Sequence, residues 1–108
     1  MITIYGINTC NTTKKALHQF PKANFFNYKH QTLSKEKLTS MYKISNLPIN
    51  KWINTSGKSY KQLDKMLRSQ LTTEQWLDLM AKDNLLIKRP IIETQSNIYV
   101  GNNYPTEE

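Results

Sequence analysis

The sequence predicts an α/β or α+β fold built on a small mixed sheet. A strand, helix and strand open the chain, several helical segments fill its middle, and two short apolar strands close it. At 108 residues the chain is expected to form a single domain, 1–108, with no repeat, linker or low-complexity segment.

The first element is the strand Ile2-Thr3-Ile4-Tyr5, stopped by Gly6. A polar loop leads to Cys10. From Asn11 the pattern turns helical, with Ala16, Leu17 and Phe20 at compatible spacing and Pro21 ending the run. The aromatic cluster Phe25-Phe26-Asn27-Tyr28 reads as a second strand, and the helix before it has the length of a parallel crossover.

The middle is helical. A helix is predicted from near Ser34 through Leu38, Met41 and Tyr42 to a stop around Ser45-Asn46, a second short segment opens at Leu47-Pro48 and carries Trp52, and another carries Tyr60, Leu63, Met66 and Leu67. Thr72 with Gln75 three residues on has the form of a capping box. Leu71 and Trp76 stand at staple positions, and the helix is expected to bury Leu77, Leu79 and Met80. Ile91-Ile92-Glu93-Thr94 and Asn97-Ile98-Tyr99-Val100 then form a hairpin turned at Gln95-Ser96.

Composition narrows the function classes. Fifteen Lys and Arg against eight Asp and Glu give +7, which favours an anionic partner. Only Arg68 and Arg89 are arginines, so bidentate reading of phosphate or guanine is thinly supplied and direct nucleic-acid recognition is not expected. One cysteine excludes an internal disulfide and a cysteine-based metal cage, so no metal is expected. No stretch approaches the ~20 apolar residues of a membrane span. The N-terminus lacks the pattern of a signal peptide, so no membrane association and a cytoplasmic location are expected.

Cys10 is the candidate nucleophile. A thiol at a helix N-terminus meets unpaired backbone N–H groups and the positive end of the helix dipole, which favour the thiolate. Lys14 and Lys15 stand about one turn later. Free cysteines most often pack in cores, but Asn8, Thr9, Asn11, Thr12 and Thr13 suit an exposed loop. In Lys88-Arg89-Pro90, Pro90 is a candidate cis proline beside that loop. His18 and His30 read as surface residues, the two tryptophans and the tyrosines as packing residues, and Lys35-Glu36-Lys37 as a solvated helix face.

Tyr5-Gly6-Ile7-Asn8-Thr9-Cys10-Asn11-Thr12-Thr13-Lys14-Lys15-Ala16 resembles the N-terminal active-site motif of the arsenate-reductase-like (ArsC) family. The stretches from Ile53 to Leu63 and from Leu86 to Ile92 resemble its middle and late motifs. The resemblance implies a thioredoxin-like fold with a helical insertion and a closing hairpin. It implies Cys10 as the catalytic cysteine, Arg89 as an anion-contacting arginine and Pro90 at the start of the strand facing the thiol. Asn11, Thr12, Thr13 and Lys14 fall in the anion-binding turn.

Three departures shape the expected function. Spx and MgsR regulators of this family use a Cys-x-x-Cys pair, and Thr13 stands at the fourth position here. The other two arginines of an arsenate clamp would fall near Asn54 and Gly101. Family members usually continue into a C-terminal helix; none is expected after Tyr99-Val100-Gly101, where the polar segment from Asn102 to Glu108 is expected to fray and an apolar face to be exposed or covered by a dimer, a partner or the helical insertion.

The leading expectation is a thiol-dependent reductase or glutaredoxin-like enzyme without a bound cofactor, in which glutathione or glutaredoxin resolves Cys10. The alternatives are a Spx-like regulator docking on an RNA polymerase subunit and a catalytically silent paralogue.

Overall fold

Residues 1–106 are described in the computed structural model. Two compact units are distinguished: Met1–Gln31 together with the segment from Arg89 onward, and Thr32–Lys88.

The first unit holds the sheet. Strand β1 (Thr3–Gly6) leads through a loop to helix α1 (Asn11–Gln19), then to β2 (Asn24–Asn27), and the chain later returns as β3 (Ile91–Glu93) and β4 (Ile98–Val100). The sheet order is β2-β1-β3-β4. Strands β1 and β2 run parallel with Tyr5 beside Phe26, while β3 runs antiparallel to β1 with Tyr5 beside Ile91. Alternation along β1 places Ile4 against α1 and Tyr5 on the opposite face. The α1 side is closed by Ile2, Ile4, Ala16 and Ile92, with Leu17, Phe20 and Tyr99 packed around them. Each fully buried isoleucine of this kind contributes about 1.5–3 kcal/mol.

The element order and mixed sheet are those of the expected α/β, thioredoxin-like fold. No helix follows β4 among the described residues. The segment after β4 departs from expectation in one respect. Instead of fraying, it folds back so that Tyr104 packs on Phe20, with ring centroids 5.7 Å apart, and the Thr106 carbonyl accepts from Gln19. A single aromatic ring outweighs its polar neighbours because burying it removes so much apolar area. Residues 107 and 108 of that expectation lie outside the described range.

The second unit is helical: α2 (Lys35–Ser45), a 3₁₀ turn (Ile49–Trp52), α3 (Lys58–Lys61), α4 (Lys65–Gln70) and α5 (Thr73–Lys82). Ser34 caps α2, whose exit passes through Asn46 in the left-handed region, a conformation Asn tolerates. The Thr72–Gln75 capping box is present at α5. Leu77 and Met80 are buried, but Leu79 is only half-buried. Trp52 is fully buried and donates its indole N–H to Ser45. Lys35, expected on a solvated face, is ion-paired with Glu74 and Asp78.

One helix expected here is two. Asp64 accepts from the Met66 and Leu67 N–H groups and so starts α4 afresh after α3. The new register leaves Met66 71% and Leu67 45% exposed. None of the helices among the described residues is long and apolar enough to cross a membrane.

Candidate functional site at Cys10

The thiol is positioned by the junction of β1 and α1. Gly6 ends β1 directly beneath Thr13, and a Cβ at Gly6 would collide with the Thr13 side chain. The absent side chain lets the first turn of α1 settle against the strand. The loop then closes through the Cys10 N–H, which donates to the Ile7 carbonyl at 3.1 Å.

Cys10 is the N-cap of α1, with extended backbone (φ −89°, ψ 126°). Its carbonyl accepts the first helical hydrogen bond from the Lys14 N–H at 2.9 Å, which leaves the N–H groups of Asn11, Thr12 and Thr13 at the open end of the helix. The half-buried sulfur lies 3.0 Å from the Thr12 hydroxyl, which in turn lies 3.4 Å from the Arg89 carbonyl oxygen. Thr12 has one proton to give. With the thiol protonated, S–H donates to Thr12 and Thr12 to Arg89; with the thiolate, the hydroxyl proton turns to sulfur.

Burial opposes ionisation of Cys10. Against it act the Thr12 hydroxyl, the Thr13 N–H, the Arg89 guanidinium and the Thr13 hydroxyl, which together bring the thiol from 9.0 down to about 6. That direction favours the thiolate, the form that attacks sulfur.

Arg89 reaches the site because β3 is antiparallel to β1, so that the segment entering β3 lies beside the loop leaving β1. The Arg89–Pro90 peptide is cis. Pro90 is buried and precedes β3, and its carbonyl accepts from Gly101, a glycine at φ 80°. Two guanidinium nitrogens of Arg89, Nε and Nη1, are buried without a hydrogen-bond partner.

The remaining candidates are surface residues. Asn11 and Lys14 are exposed, as is Lys15, and the groups that act on the thiol are Thr12, Thr13 and Arg89 rather than the lysines. His18 and His30 are exposed. Asn54 donates its amide N–H to the Leu85 carbonyl at 3.3 Å and accepts from the Ser56 hydroxyl at 3.1 Å.

Sequence reasoning passed over Tyr28, taken there only as a strand aromatic. Its hydroxyl is buried and unpartnered, held protonated by burial, and lies within the influence of the Arg89 charge. Its signal was positional: it stands two residues beyond Phe26, on the same side of the strand.

A model of the ArsC family matches residues 5–107. The chain belongs to the ArsC family. Among relatives of this ArsC-family chain, protein YusI of Bacillus subtilis, described as uncharacterized, is 36% identical over 95 residues, covering 86% of this chain and 80% of that protein. The global transcriptional regulator Spx of Streptococcus pyogenes is 27% identical over 107 residues, covering 95% and 79%. A solved structure described as a possible arsenate reductase from Streptococcus mutans superposes with a TM-score of 0.83 at 27% identity, covering 96% of this chain and 92% of that one.

Proposed function

We propose that this ArsC-family protein is a thiol-dependent reductase whose only cysteine, Cys10, works with an external thiol, glutathione. The observation that carries this reading is the Cys10 sulfur at the N-cap of α1, brought to about 6 by Thr12, Thr13 and Arg89 against the opposing effect of burial.

The Cys10 thiolate attacks a sulfur of an oxidised substrate, such as a glutathione mixed disulfide. The old S–S bond breaks, the substrate leaves as its thiolate, and Cys10 carries the glutathionyl group. A second glutathione thiolate then attacks that disulfide, releasing oxidised glutathione and restoring Cys10. Because the chain has one cysteine, resolution must come from outside it. Arsenate is the less favoured substrate, since Asn54 and Gly101 stand where the other clamp arginines would be and Arg89 alone would face a multiply charged oxyanion.

Intact-mass measurement after treatment with oxidised glutathione tests the reading. One glutathionyl adduct is expected on the native protein and none on Cys10→Ser, with reductase activity in a glutathione-coupled assay lost in parallel. An unmodified native protein overturns it.

The likeness to Spx across 95% of the chain supports a second reading, a regulator that docks on an RNA polymerase subunit. Polymerase subunits retained equally by wild type and Cys10→Ser, together with no glutathione-coupled turnover, would establish that reading instead.

A further inference from the structure

Among the described residues of the first unit, the buried side-chain polar atoms without a hydrogen-bond partner belong to three residues: Thr13 Oγ1, Tyr28 OH, and Arg89 Nε and Nη1. Folded proteins leave few such atoms, and a group of them in one place points to a ligand that supplies the acceptor. Thr13 is 0% exposed and its hydroxyl turns to the Cys10 sulfur when that is ionised, which leaves Tyr28 OH and the two Arg89 nitrogens for a ligand. The other two residues flank the same loop from either side.

Sheet register explains the placement. Tyr5 pairs with Phe26 on one side and with Ile91 on the other. Beyond the paired residues, Tyr28 follows β2 on one side of the Cys10 loop and Arg89 precedes β3 on the other, its carbonyl 3.4 Å from the Thr12 hydroxyl. The Tyr28 N–H, donating to the Gly6 carbonyl at 2.8 Å, carries the parallel pairing to this level. Tyr28 is held at its base by the Phe26 ring, at a centroid distance of 6.2 Å and 70°, so the hydroxyl has a fixed direction.

We propose that Tyr28 is a second anion-contacting residue of the Cys10 site, its hydroxyl and the Arg89 guanidinium together holding one carboxylate of the peptide thiol or disulfide that reacts with Cys10. A carboxylate matches this donor set: it carries one charge for one guanidinium and has acceptor capacity left for a neutral O–H. The hydroxyl is a dependable donor because burial keeps it protonated across the working pH range. The inference rests on Cys10 being the reacting thiol.

The test uses a ligand that binds without reacting. S-methylglutathione, its dimethyl ester and sodium sulfate are compared at constant ionic strength for protection of Cys10 against iodoacetamide, in wild type, Tyr28→Phe and Arg89→Lys. The expected result is protection by S-methylglutathione that needs at least ~10-fold more ligand in Tyr28→Phe, the value of a hydrogen bond to a charged group. The ester is expected to protect poorly and to be insensitive to Tyr28→Phe. Phe keeps the ring and its packing, so a merely structural role would move acid and ester alike.

Equal protection of wild type and Tyr28→Phe by the acid overturns the proposal. So does protection by the ester as strong as that by the acid. Sulfate protecting better than S-methylglutathione, with the same loss in Tyr28→Phe, overturns the carboxylate assignment in favour of an inorganic oxyanion. Carboxylate-dependent protection with no glutathionyl adduct from oxidised glutathione leaves the anion site standing and removes the reductase reading. An adduct without any Tyr28 dependence does the reverse.

Discussion

The Cys10 sulfur and the Thr12 hydroxyl oxygen lie 3.0 Å apart, and that oxygen is also within 3.4 Å of the Arg89 carbonyl. A single side chain therefore links the thiol to the segment that enters β3. Its one proton serves sulfur only when sulfur is ionised.

Thr12→Val keeps the shape and removes that proton. The Cys10 pKa is expected to rise by about one unit from its value near 6, a hydrogen bond to a charged group discounted for the half-exposed site. The rate of iodoacetamide alkylation against pH measures it. An unshifted midpoint would mean that Thr12 contributes nothing to the thiolate.

Ionisation at about 6 in the folded protein against 9.0 for an ordinary thiol also makes stability depend on pH. The folded state releases the proton first, so the unfolded chain binds more protons between those values and stability rises with pH across that window. The contribution is complete above about 9 and is lost as pH falls through about 6. Urea unfolding at several pH values is expected to show this slope in wild type and to lose its Cys10 component in Cys10→Ser.

Gly6→Ala drives a methyl group into the Thr13 side chain. The expected loss of stability is about 1–3 kcal/mol, as for other overpacked sites. Because the clash is with Thr13 Oγ1 and Cγ2 above all, Gly6→Ala with Thr13→Ala is expected to cost less than the sum of the two single changes. Denaturant titrations of the four proteins give the coupling energy, and strict additivity would place the clash elsewhere.

Tyr28→Phe removes a buried hydroxyl that has no partner in the protein. The free protein is expected to gain up to about 1 kcal/mol, since the desolvation cost of an unpaired group disappears. A raised melting temperature alongside weakened ligand protection is the signature of a group kept for binding at the expense of stability. A lowered melting temperature would show that the hydroxyl is bonded in solution.

Much of the architecture was legible locally. The Thr72–Gln75 capping box, the Gly6 stop and the Pro21 stop depend on neighbours a few residues away, and each element they bound is present. Asp64 was a signal of the same kind that went unread, and missing it merged α3 with α4. The exposure of Met66 and Leu67 and the docking of Tyr104 on Phe20 were not legible, because both depend on which surfaces face each other after folding.

For the site, the sequence by itself determined that one thiol stands at the start of a helix and that no second cysteine in the chain can resolve it. The helix start is local chemistry, and the cysteine count is a fact of composition. Only the tertiary structure decided which distant residues join Thr12 and Thr13 around that thiol. Antiparallel pairing of β3 with β1 carries Arg89 to the Cys10 loop, and parallel pairing of β2 carries Tyr28 to its other side. Strand register is set by the burial of whole faces rather than by any residue near Cys10, so Arg89, unlike the neighbouring Thr12 and Thr13, reaches the sulfur through contacts far from it in the chain.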